Sequence, residues 1–180
     1  MRRLLLWCVL GGAACASSTK APETGASTSR TVQVAGMPGK LTVTSQSRAS
    51  VTGMAFTVDQ VWKVLPSVLD SLGVKASSID PSQHAIGAEN FKVRVQLGRT
   101  PLSRYLECGG TQVGANADSY EVLLTVLAQV QPVATGGSTL STLFEAVAKP
   151  IAFSQGYSKC SSKGLFETRL VEAVKKRLQG

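Results

Sequence analysis

The sequence predicts an α+β domain, an antiparallel sheet with two helices packed on one face, preceded by a short N-terminal hairpin. Two observations carry the prediction. Apolar residues recur at steps of three and four from Val58 to Leu72, and again from Phe166 to Leu178. Between these stretches, apolar and polar residues alternate along Phe91 to Leu97 and along Tyr120 to Val133, the period of strands with one wet face.

The chain opens with Arg2 and Arg3 ahead of an apolar run, Leu4 to Ala14, too short to anchor permanently across a bilayer. Residues 1–15 therefore read as an export signal. Two endings compete. Gly12-Ala13-Ala14-Cys15 resembles a bacterial lipobox, which would make Cys15 the lipidated first residue, although Gly12 stands where Leu is usual. Ala14-Cys15-Ala16 also fits ordinary signal-peptidase cleavage, which would leave a soluble periplasmic or secreted protein. Residues 16–30, rich in Pro, Gly, Ser and Thr, bury too little apolar surface to fold and form a flexible linker.

Residues 31–50 form a hairpin or extension, with Thr31 to Val34 and Lys40 to Gln46 either side of Gly36-Met37-Pro38-Gly39. Residues 51–180 form the main domain. Thr57 with Gln60 three residues later makes a capping box. The helix that follows puts Val61, Trp62, Leu65, Val68 and Leu69 on one stripe and stops at Gly73, while Pro66 bends it. Lys75 to Ile79 and Ala85 to Gln96 flank the turn Asp80-Pro81-Ser82-Gln83. In the second strand Phe91, Val93, Val95 and Leu97 face one way, and Asn90, Lys92, Arg94 and Gln96 the other. Glycines from Gly109 to Gly114 mark a mobile turn. Tyr120 to Val133 and Thr139 to Ile151 then form a long hairpin around Gly136-Gly137, with Leu123 and Leu127 interrupting its polar side. Ser161 or Ser162 caps the last helix, where Glu167 lies near the positive end and Lys175, Lys176 and Arg177 near the negative end.

Of 180 residues, 43% are hydrophobic and 17% charged, enough for one modest domain. The net charge of +8 falls to +6 once Arg2 and Arg3 are removed with the signal. Lys92, Arg94, Arg99 and Arg104 form a candidate basic contact face for phosphate head groups or acidic glycans, set against an ordinary solvated strand face. Nucleic acid is not expected, because the wet strand face has no aromatics to stack bases. His84, the single histidine, reads as an exposed turn residue without catalytic partners. Neither metal nor cofactor is expected, since one His and two folded-part Cys make no zinc set and the paired glycines lack a phosphate loop's context. Cys108 and Cys160 read first as a disulfide stabilising an exported domain by roughly 4 kcal/mol, with two buried free thiols as the rival.

Ala55-Phe56-Thr57 leading into Val61-Trp62, the LDSLGV of residues 69–74, and Cys160 to Glu167 with its Ser-x-Gly-x-hydrophobic-Glu helix opening resemble the BamC (NlpB) lipoprotein family over about residues 51–178. That resemblance implies a helix-grip fold of β-α-β4-α type, a lipid anchor, a position facing the periplasm and action through protein contact in outer-membrane barrel assembly. The family's BamC has two such domains, against one here. The expected function is a non-enzymatic envelope lipoprotein that binds another envelope protein. The alternative is a periplasmic small-molecule or lipid carrier, whose cavity would lie between helix and sheet.

Overall fold

Two short segments, Thr31–Val32 (β1) and Leu41–Thr42 (β2), pair antiparallel as the predicted hairpin requires. The computed structural model describes residues 31–32, 41–42, 49–134, 136–152 and 154–180. The expected signal, linker and Cys15 lie outside the described residues, as does the rest of the hairpin.

Ser50–Met54 forms β3, and Val58–Ser71 forms α1. The capping box is complete. The Gln60 N–H donates to Thr57 Oγ1 at 3.3 Å, and the Thr57 N–H donates to Gln60 Oε1 at 2.9 Å. Val61, Leu65, Val68 and Leu69 are buried, and Pro66 lies inside one continuous helix. Beyond its end, the Gly73 N–H donates to the Asp70 carbonyl and the Val74 N–H to the Leu69 carbonyl, both at 2.9 Å. This is a Schellman motif, which needs the left-handed backbone that Gly73 supplies at φ +88°.

Ser78–Asp80 (β4) and Ala85–Val93 (β5) follow, shorter than the alternation predicts. Asp80 Oδ1 builds their turn by accepting from the Ser82 N–H, the Ser82 hydroxyl and the Gln83 N–H. The strand predicted to continue to Gln96 ends at Val93. The chain reverses through Val95, whose φ is +66°, so Val95 is 55% exposed while Leu97 is buried. A small hairpin, Gln96–Leu97 (β6) with Thr100–Pro101 (β7), takes the place of the strand's end. The turn region after it is structured too: α2 (Leu102–Tyr105), β8 (Leu106–Glu107), the hairpin of β9 (Gly110–Thr111) with β10 (Gly114–Ala115), and α3 (Asn116–Ser119).

Glu121–Pro132 (β11) and Ser138–Lys149 (β12) form the long hairpin, paired throughout from Glu121 with Lys149 to Pro132 with Ser138. Val122, Leu124, Val126, Ala128 and Val130 are buried, as predicted, and Leu123 and Leu127 are half-buried on the other side. Ser158–Ser162 (β13) was not expected, because SKCSS carries no apolar alternation. Leu165–Gln179 is α4. Neither Ser161 nor Ser162 caps it. Both belong to β13, and Gly164 at φ +76° occupies the cap position.

The fold is α+β, with a seven-stranded antiparallel sheet ordered β4-β5-β11-β12-β13-β8, in which β3 also pairs with β12. The buried cluster combines the apolar stripes of α1 and α4 with the inward residues of β5, β11 and β12. Phe144 and Phe166 stack at its centre, 4.5 Å apart, with Tyr105 6.0 Å from each. The Arg169 guanidinium satisfies Tyr105 Oη at 2.8 Å from the edge of this group.

Candidate binding site

One edge of β12 is shared by two strands. Residues 138–142 pair with β3 and residues 146–148 pair with β13. Between them Leu143, Phe144 and Glu145 have no partner strand on that side, so the sheet has a break three residues long. The break is held open from its far side. Cys160 on β13 is joined to Cys108, confirming the predicted disulfide, with Cα atoms 4.4 Å apart. β13 pairs onward with β8 through Ser161 with Glu107 and Ser162 with Leu106. Lys163 adds its N–H to the Tyr105 carbonyl and its Nζ to the Ser103 carbonyl and, at 3.1 Å, to Glu107.

These ties fix the turn into α4 at the break. Ser162 accepts the Gly164 N–H at 3.1 Å and donates its hydroxyl to Glu167 Oε1 at 2.8 Å. Glu167 is the third residue of α4, where a carboxylate opposes the positive end of the helix dipole. It is 8% exposed, and Oε2 has no hydrogen-bond partner among the described residues. Two clefts meet there. One of about 570 Å³ has Leu123, Leu143 and Val147 among its walls with Asn90 and Lys159, and extends to Phe144 and Glu167. The other, about 510 Å³, lies along Thr52, Val171, Glu172 and Lys175 and is also lined by Glu167.

The predicted basic residues are distributed over several elements. Lys92, on β5, is bound to Glu121 at 2.7 Å. Arg94 follows β5, Arg99 lies in the turn between β6 and β7, and Arg104 is on α2; all three are exposed and make no ion pair among the described residues. Glu121 also accepts from Tyr157 Oη at 2.6 Å and faces Lys149 at 3.4 Å. The Lys92 ammonium foremost, then the Tyr157 hydroxyl, hold the Glu121 carboxyl down at about 2. Tyr157 and Glu121 in turn raise Lys149, whose ammonium lies 4.8 Å from the Tyr157 ring centroid. Lys92, Lys149 and Tyr157 thus converge on Glu121 at the start of β11. His84 is half-buried, edge-on to Trp62 at 5.6 Å, not free on its turn.

The sequence places Glu167 near a helix start but gives no sign of the cleft it lines. The available signal was the spacing Ser162-Lys163-Gly164-Leu165-Phe166-Glu167, which carries the serine-to-carboxylate bond. Among the described residues, no group of His, Cys, Asp and Glu could hold a metal ion, and no helix is long and apolar enough to cross a membrane. Comparison of the chain with protein families, with curated proteins and with solved structures finds no match.

Proposed function

We propose that this chain is a non-enzymatic binding module of the bacterial cell envelope. It is a lipoprotein anchored through Cys15, facing the periplasm, and it recruits another envelope protein through the larger cleft. One observation carries this reading. Leu123 pairs with Val147 and Leu127 with Leu143, on the sheet face opposite the buried residues Val122 to Val130, and Leu123, Leu127 and Val147 remain half-buried. An apolar patch interleaved with Thr125 and Glu145 has the mixed character of a protein contact surface.

In a helix-grip arrangement α1 and α4 occupy the inward face of the sheet, which leaves this opposite face for a partner. The resemblance to BamC-type lipoproteins suggests outer-membrane assembly as the setting. A small-molecule carrier is the second reading, favoured by a cleft of about 570 Å³, within the roughly 300–1,000 Å³ of typical ligand sites.

Photocross-linking in the producing cells tests the first reading. A cross-linker at position 147 yields one discrete adduct with an envelope protein, and a cross-linker at Val113, a fully exposed hairpin tip, does not. Metabolic fatty-acid labelling is lost in Cys15→Ser. An unlabelled wild type refutes the anchor, and native mass spectrometry showing a stoichiometric small ligand in place of the adduct assigns the carrier role.

A further inference from the structure

Residues 94–104 hold Arg94, Arg99 and Arg104 and no Asp or Glu. They form one fixed platform around the β6–β7 hairpin. Leu97 and Leu102 are buried in the core, and Gly98 lies against the backbone of Leu72 and Gly73. The Leu102 N–H donates to the Val95 carbonyl at 2.9 Å across the base of the hairpin, and Arg169 donates to Thr100 Oγ1. Arg94 and Arg104 flank that base and Arg99 is at the turn, roughly 10 Å away at about 3.4 Å per residue. That is about one Debye length, so the three exposed charges act together. The carboxylates that follow in the chain are engaged elsewhere: Glu107 with Lys163 at 3.1 Å, Asp118 with the Ser103 N–H at 2.8 Å, and Glu121 with Lys92 at 2.7 Å.

Between these cations lies a strained residue. Val95 has φ +66°, and the Gln96 N–H donates to the Arg94 carbonyl at 2.7 Å, which makes a γ-turn of the rare positive-φ kind on a β-branched residue. Glycine adopts such a backbone without strain. The turn leaves Val95 55% exposed, beside Arg94, with Pro101 exposed on the opposite strand. The core gains nothing from this side chain, so the strain points to a use outside the fold. Apolar groups set among unpaired cations match a surface of phosphates with hydrocarbon beneath.

We propose that the β6–β7 hairpin is a membrane contact, with Arg94, Arg99 and Arg104 on the phosphates of anionic lipid headgroups and Val95 inserted between them. This goes beyond the protein-binding reading above and does not depend on the Cys15 anchor.

The test presents the full chain to nanodiscs of phosphatidylcholine, alone or with phosphatidylglycerol, each carrying a headgroup spin-labelled lipid. Amide relaxation is read at Val95, Arg99 and Arg104 against Gly137, which lies beyond the far end of β11. The three amides broaden on the anionic discs, salt reverses the effect, and Gly137 is unmoved. Each of Arg94→Gln, Arg99→Gln and Arg104→Gln lowers the contact equilibrium roughly fivefold. Val95→Gly also weakens contact, although it relieves the turn and does not lower Tm. Equal broadening on phosphatidylcholine alone or at Gly137, or unchanged contact in the triple Gln variant, overturns the proposal. Undiminished contact in Val95→Gly overturns the insertion. Inorganic phosphate that shifts the same amides to saturation and displaces the discs assigns a free-anion site and overturns the bilayer as the partner.

Discussion

Ser162 donates its hydroxyl to Glu167 Oε1 at 2.8 Å while accepting the Gly164 N–H at 3.1 Å, so one short side chain sets both the turn into α4 and the carboxylate inside it. Ser162→Ala leaves a part-buried carboxylate oxygen and a backbone donor without their partner. Urea unfolding shows a loss of about 1–2 kcal/mol, and Ser162→Thr, which keeps the hydroxyl, recovers most of it. Equal losses in the two variants would refute the role of this bond.

Acid acts through Glu121. Its folded pKa of about 2 lies below the ordinary 4.5, so the unfolded chain binds the proton first as pH falls. The stability it contributes is fully present above about pH 4.5 and is lost as pH falls through about 2. In Glu121→Gln the pH dependence of Tm between those values is flatter than in the wild type. Because the Lys92 contact is the larger cause, Lys92→Met raises the Glu121 carboxyl pKa more than Tyr157→Phe does, as read by carbon-detected NMR titration.

The Cys108–Cys160 bond closes a loop across 52 positions and ties β13 to the segment beside β8. Removing it with the double substitution Cys108→Ala and Cys160→Ala lowers unfolding free energy by roughly 4 kcal/mol through loop-closure entropy. Wild type in reductant reaches the same urea midpoint. A midpoint that reductant leaves unmoved in accessible, fully reduced protein would contradict this.

Gly73 and Gly164 both hold positive φ, +88° and +76°, but a Cβ at Gly73 overlaps the Gly98 backbone whereas one at Gly164 meets open space. Gly164→Ala therefore costs about 1 kcal/mol, from backbone conformation alone. Gly73→Ala costs about 3 kcal/mol, because overlap with main chain adds to it. Thermal melts of the two variants rank them in that order.

Much of this fold is legible in the order of the residues. Thr57 and Gln60 cap α1, Gly73 ends it, and Val122 to Val130 turn inward on β11 because each of these outcomes depends on groups a few positions apart. Local periodicity reports such contacts directly. The same signal misplaces Val95, whose alternation points it inward although the chain has already reversed, and it is silent on Ser158–Ser162, a strand of polar residues.

Local patterning specifies the α+β class, both long helices, the β11–β12 hairpin and, as a first reading, the pairing of Cys108 with Cys160. The rest emerges only on assembly of the sheet: β3 and β13 divide one edge of β12, Leu143 to Glu145 lie between them without a partner strand on that side, and Glu167 lines the cleft at this break with one oxygen unmet among the described residues. The difference lies in distance along the chain. Met54 meets Ser138 and Cys160 meets Ala146 only after the sheet has assembled, and the length of edge left over between two such pairings is a property of neither strand's own sequence.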